Sequence, residues 1–94
     1  MRMRFEWHPG KAKANLWKHG VSFREAATVF GDPLSWTFSD PDHSREEDRL
    51  ITVGISQLGN LLVIAHTDRE GAIRIINARR ATRREGRYYE QKKK

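Results

Sequence analysis

Residues 2–7 alternate charged side chains with Met3, Phe5 and Trp7, a period of two that predicts a short strand carrying those three on one face. His8-Pro9-Gly10 interrupts the alternation, and residues 11–19 then read as a helix closed by Gly20 as a left-handed cap. Ser22 opens a second helix as its N-cap. Glu25, three residues on, completes a capping box, and Phe23, Ala26, Ala27 and Phe30 form one apolar stripe before Gly31-Asp32-Pro33 ends the element.

The pattern changes to strands in the second half. Trp36 and Phe38 sit at strand spacing within residues 34–40, and Asp40-Pro41-Asp42-His43-Ser44 is turn chemistry leading into the acidic run Glu46-Glu47-Asp48. Residues 49–56 alternate with Ile51, Val53 and Ile55 in register, residues 61–67 are more continuously apolar, and residues 72–78 carry Ile73, Ile75 and Ile76. The connections at 57–60 and 68–71 are short enough to force hairpins, so these strands are expected to be antiparallel. Thr82 and Glu85 form a second capping box for a last helix that runs through Tyr88 and Tyr89 into the lysine tail. The expected fold is α+β: an antiparallel sheet of about four strands, two N-terminal helices and a C-terminal helix. Residues 1–94 are expected to form one domain, because a chain this short has room for a single core.

Two registers compete in the last hairpin. A three-residue turn at Arg69-Glu70-Gly71 with Gly71 left-handed pairs Asp68 with Ala72 and sets His66 against Arg74. Pairing Thr67 with Ala72 instead gathers Ile51, Val53, Ile55, Leu62, Ile64, Ile73 and Ile75 on one apolar face and puts Arg74 on the side away from His66. Turn chemistry favours the first and the apolar pattern the second.

Charge adds information once it is divided along the chain. The net charge is +6, yet residues 1–40 hold six Lys/Arg against four Asp/Glu, residues 41–70 three against six, and residues 71–94 nine against two. A basic block of that kind attracts polyanions through screened Coulomb forces and counterion release. There is no cysteine, which excludes disulfides, thiolate zinc sites and cysteine nucleophiles and fits a reducing, cytoplasmic setting. No segment approaches the about 20 apolar residues of a membrane span, and residues 1–7 lack the apolar run of a signal peptide, so neither export nor a membrane partner is expected.

Metal-independent RNA cleavage needs a group to take the 2′-hydroxyl proton, one to protonate the leaving 5′-oxygen, and cations facing the phosphorane. His43, Glu46 and Glu47 before the sheet, His66 at a strand end, and Arg74, Arg79 and Arg80 on or after the next strand are the candidates, with Lys18 and His19 at a helix C-terminus. The bland alternatives are a hydrogen-bonded core histidine at His66, a loop-capping His43, and arginines held in ion pairs to the acidic loop. His8, His19, His43 and His66 show no HxH or HExxH spacing, so no metal and no other cofactor is expected, and a phosphate-binding glycine loop and a GxSxG elbow are both missing from the sequence.

Taken in order, Phe5-Glu6-Trp7, Lys11, Asn15, the run from Lys18-His19-Gly20 through Glu25-Ala26, Asp42-His43-Ser44 with Glu47 and Arg49, and the run from Arg74-Ile75-Ile76-Asn77 through Arg84-Glu85 resemble the BrnT toxins of bacterial type II toxin-antitoxin systems. The resemblance implies a RelE-like endoribonuclease that arrests growth, is neutralised by a BrnA-type antitoxin, and meets operator DNA through that antitoxin. Within that reading His66 or Glu47 carries the proton, Arg74 and Arg79 face the phosphate, Lys18, His19 and Arg80 position RNA, and Arg83 and Arg84 attract it. His8 departs from the acidic residue expected after the tryptophan, and Gly86 departs from a better helix former, predicting a weak or kinked helix there. The competing class is a non-catalytic basic module that acts only within a regulatory complex; it needs the arginines but not His66 or Glu47.

Overall fold

The computed structural model describes residues 3–42 and 48–92. Strand β1 (Arg4–Glu6) leads into helix α1 (Pro9–His19) and helix α2 (Phe23–Thr28), whose last turn tightens into a 3₁₀ segment (Val29–Gly31). Strands β2 (Trp36–Ser39), β3 (Leu50–Ile55), β4 (Leu61–Arg69) and β5 (Ala72–Arg80) follow, then helix α3 (Arg83–Lys92). The sheet order is β1-β5-β4-β3-β2. It has five strands and is mixed, because β1 pairs parallel with β5 while the remaining pairs are antiparallel. The expectation of about four antiparallel strands is corrected on that point. The α1–α2 segment carries the chain from β1 at one edge of the sheet to β2 at the other, and the antiparallel run β2 to β5 then brings β5 back beside β1.

The helix caps have local causes. His8 follows the end of β1 and also starts α1, two residues ahead of the expected helix: its Nδ1 accepts from the amides of Gly10 at 3.0 Å and Lys11 at 3.3 Å, and Pro9 occupies a first-turn position where its missing N–H costs nothing. Gly20, at φ 70°, closes α1 as expected, donating to the Leu16 carbonyl. At α2 the Ser22 hydroxyl accepts from the Glu25 amide, but the Glu25 carboxylate takes Ser56 Oγ at 2.7 Å and Asn60 Nδ2 at 2.8 Å. Only half of that capping box forms, and Glu25 ties α2 to the β3–β4 turn.

The main core lies between the helices and one sheet face. Val21, Phe23, Ala26 and Val29 pack on Leu62, Ile64, Ile75 and Ala78, with Phe5 and Trp7 closing the β1 side as their alternation predicted. Asn15 is buried within this layer and clamps α1 to β5: its amide nitrogen donates to the carbonyls of Val21 and Ala78, and its Oδ1 accepts the Ala78 amide.

The second sheet face is also partly covered. Tyr89 of α3 packs on Val53 and Val63, and its hydroxyl donates to Asp32 Oδ2 at 2.7 Å. Ile51 and Val53 pair with Ala65 and Val63 on this face, while Leu62 and Ile64 lie on the other. The single apolar face gathering all of them is therefore not formed, because β4 is buried from both sides. In the last hairpin neither expected register occurs. Arg69 pairs with Ala72 across the two residues Glu70 and Gly71, at φ 50° and 80°, a primed turn whose twist matches the strands. Helix α3 continues through Gly86 with the Gly86 amide donating to the Thr82 carbonyl, so no kink appears there.

Candidate active-site groove

One irregularity organises the β5 side chains. Ala65 pairs with Asn77 but His66 pairs with Ile75, so Ile76 is passed over in a β-bulge. In an unbroken strand, residues five apart point to opposite faces. The bulge inverts that relation and brings Arg74, opposite Thr67, to the same face as Asn77 and Arg79, while Ile75 and Ala78 stay in the core. Arg74, Asn77 and Arg79 thus line up on the face that α3 only partly covers.

A groove of about 340 Å³ opens on that face. Its floor is Ile51, Val53, Val63 and Ala65, and its polar lining is Asp40, Asp42, Arg49, Asn77, Arg79 and Glu85, with Phe38 at the β2 side. A larger depression of about 740 Å³ near Phe5 and Phe30 is lined by no basic side chain, Asp32 being its one titratable group, and lacks what a phosphate would need.

Arg79 is the best-oriented cation. Its Nη1 donates to Glu85 Oε1 at 2.8 Å and its Nη2 to Glu85 Oε2 at 2.9 Å, a bidentate pair. Glu85 in turn accepts the Thr82 amide at 2.8 Å, and Thr82 Oγ1 accepts the Glu85 amide at 3.2 Å, so this capping box is complete. Hydrogen bonding from Arg79 holds the Glu85 carboxyl down at about 2, well below its ordinary value, and the same bond pushes the Arg79 guanidinium further up. One carboxylate fixes the start of α3 and the plane of the guanidinium at once.

The other expected residues are dispersed. Arg74 shares the groove face but lies toward the β1 edge, 3.6 Å from Glu6. Arg80 points the other way and donates to Asn60 Oδ1 at 3.0 Å. Lys18 and His19 end α1, which packs against β5 from the core side, so the sheet separates them from the groove. Arg83 and Arg84 stand exposed on the first turn of α3, Arg84 one turn ahead of Tyr88. Glu47, with His43 and Glu46, lies outside the described residues; Asp42 and Arg49, on either side of that stretch, both line the groove.

His66 is 1% exposed on the core face, its ring edge-on to Phe30 at 5.0 Å, so it does not share a site with Arg74. Its Nδ1 lies 3.1 Å from Asp68 Oδ1, its Nε2 2.7 Å from Thr52 Oγ1, and Thr52 Oγ1 is 2.6 Å from Thr37 Oγ1. Burial pushes the imidazole below its ordinary value against the opposing pull of Asp68. A neutral ring satisfies every member of this chain: Nδ1–H donates to the carboxylate and Nε2 accepts from Thr52. The order Asp, His, Thr looks like a nucleophilic triad, but Thr52 is 0% exposed and no substrate can reach its hydroxyl.

Sequence reading missed Asn77, Asp40, Arg49 and Phe38 as members of one groove. Asn77 and Arg79, two polar residues at a spacing of two on one strand, were the available signal.

A guanidinium aimed by a carboxylate in an open groove, on a mixed sheet backed by helices, defines a small basic α+β protein with an oriented cation on its sheet face. The chain belongs to the BrnT family: the family model described as "Ribonuclease toxin, BrnT, of type II toxin-antitoxin system" matches residues 7–85. The family carries with it an RNA target, an antitoxin partner and growth arrest. Among solved structures, the chain is similar to the 1.1 Å crystal structure of the Brucella abortus ribonuclease toxin, BrnT, with a TM-score of 0.69 and 20% identity over 87% of this chain and 100% of that one. At that identity the likeness is one of fold. Comparison with curated proteins gives no match. Among the described residues no helix is long and apolar enough to cross a membrane.

Proposed function

We propose that the groove is the ribonuclease active site, that cleavage is metal-independent and endonucleolytic, and that Arg79 is its central phosphate-binding and transition-state cation. The observation that carries this is the bidentate Arg79–Glu85 pair inside the groove, which presents the guanidinium in one orientation; Nη1 also donates to the Arg80 carbonyl at 3.3 Å, which leaves the Nε–H and one Nη2–H for a phosphate. Glu85 is a positioning residue here: a carboxyl held near 2 is a poor acceptor of a proton at neutral pH. Glu47 is the proton carrier in this reading, since the other candidate, His66, is buried in the core. Arg74, on the same face, and Arg83 and Arg84, on the first turn of α3, hold flanking phosphates, and Arg49 contributes positive charge that would otherwise fall to a metal. His66 belongs to the core, and Lys18, His19 and Arg80 act away from the reaction.

The setting is cytoplasmic, and the antitoxin is of the BrnA type, linking the toxin to operator DNA. The test is cleavage of a labelled single-stranded RNA by the purified chain with and without EDTA, alongside Arg79→Ala and Glu47→Gln shown by circular dichroism to be folded. Cleavage that persists in EDTA and falls at least a hundredfold in both variants is expected. Parental cleavage by folded Arg79→Ala would overturn the assignment.

A further inference from the structure

We infer that Phe38 is a nucleobase-stacking subsite of the groove, taking one unpaired base of a single-stranded RNA; this rests on the groove being the ribonuclease site. Phe38 lines the groove and is 38% exposed on β2. An exposed phenylalanine on an edge strand is common by itself. What distinguishes Phe38 is the arrangement behind it: its ring lies 5.3 Å from Trp36 at an interplanar angle of 30°, and Trp36 lies 5.4 Å from Tyr88 of α3 at 32°.

The core aromatics meet differently. Trp7 with Phe23 and Phe30 with His66 are edge-on at 76° and 85°, and Phe5 with Phe30 is tilted at 53°. Edge-on and steeply inclined contacts suit rings packed on all sides, whereas rings inclined by only 30° and 32° leave the last of them a face that a further planar group can extend. The run ends in the groove at Phe38. Trp36 and Tyr88 hold that ring in place ahead of ligand binding, so little rotamer freedom is lost when a base stacks on it.

The placement also fits a nucleotide chain. Phe38 pairs with Ile51, Ile51 with Ala65, and Ala65 with Asn77, so Phe38 stands three strands away on the row next to Arg79. Three strand spacings are about 14 Å between backbones. The stacked base therefore belongs to a nucleotide neighbouring the phosphate at Arg79, not to the one that carries it. Recognition through a π-face is tolerant of base identity, so the subsite fixes the path of the strand and contributes little sequence preference.

The experiment compares non-cleavable 2′-deoxy oligonucleotides of equal length, one with bases throughout and one abasic at successive positions, for binding to the parent, Phe38→Leu, Phe38→Trp and Arg79→Ala. The parent is expected to prefer the intact strand by about tenfold at one abasic position, as stacking predicts. Phe38→Leu is expected to lose that preference while keeping the parental affinity for the abasic strand, and to show a raised KM with kcat little changed on cleavable RNA. Phe38→Trp retains the preference. If Phe38→Leu still favours the intact strand as the parent does, the subsite is not at Phe38. If Arg79→Ala binds and cleaves like the parent, the groove reading itself fails, and the subsite falls with it.

Discussion

Arg79 and Glu85 are joined by two parallel hydrogen bonds of 2.8 and 2.9 Å across the junction between the last strand and the last helix. The same carboxylate caps the helix through the Thr82 amide, so the orientation of a groove cation and the start of α3 depend on one side chain. Glu85→Gln is expected to lower cleavage at least tenfold while binding of RNA weakens less, because the guanidinium remains but loses its aim. Single-turnover rates on trace RNA, with the protein at saturating and at subsaturating excess, separate the two effects.

The same pair sets an acid dependence. The Glu85 carboxyl titrates at about 2 in the folded chain against an ordinary value of 4.5. A lowered folded value contributes stability that is fully present above pH 4.5 and is lost as pH falls toward 2. Urea unfolding of parent and Glu85→Gln between pH 6 and pH 2 should therefore show the parent's advantage shrinking across that window. A constant difference between the two would contradict the pair.

His66 acts in the opposite region of the sheet. Burial lowers its folded value below 6.5, so the unfolded chain takes up the proton more readily and stability falls as pH drops below about 6.5. His66→Gln is expected to flatten this dependence between pH 7 and pH 5 and to leave cleavage at pH 7.5 within about threefold of the parent. Loss of cleavage in a folded His66→Gln protein would return His66 to the reaction.

Asn15→Ala removes one buried side chain that satisfies two carbonyls and one amide across α1, Val21 and Ala78. Leaving those groups unpaired in the core should destabilise the fold by about 2 to 4 kcal/mol, read as a lower urea midpoint with an unchanged slope.

Gly86→Ala should do the reverse. A Cβ at Gly86 would meet Leu61 Cδ2 at 3.8 Å, an ordinary contact, inside a continuous helix. A gain of about 0.5 to 1 kcal/mol is expected in thermal or urea unfolding, with cleavage unaltered.

Much of the frame was legible in the sequence because it depends on neighbours in the chain. Ser22, Gly20 and the Thr82–Glu85 box act over three or four residues, and the alternation of Phe5 and Trp7 faces inward as expected. The ordered run of motifs likewise placed the chain in its family, as the match over residues 7–85 shows. The capping role of His8 was not legible because its side chain makes a cap from a residue type rarely used for one.

The groove was decided by tertiary structure. A period of two assigns faces only while a strand is unbroken, and the bulge at Ile76 reverses the assignment partway along β5. That reversal puts Arg74 with Arg79, and pairing across a two-residue turn leaves His66 in the core on the other side. The parallel seat of β1 and the covering of the second sheet face by α3 are equally long-range, since they join residues at opposite ends of the chain. Sequence alone thus determined the local elements, the charge and the family, each carried by residue type and short spacing. Which of the charged residues meet in one groove followed from register and layer packing, whose energies arise between segments far apart in sequence.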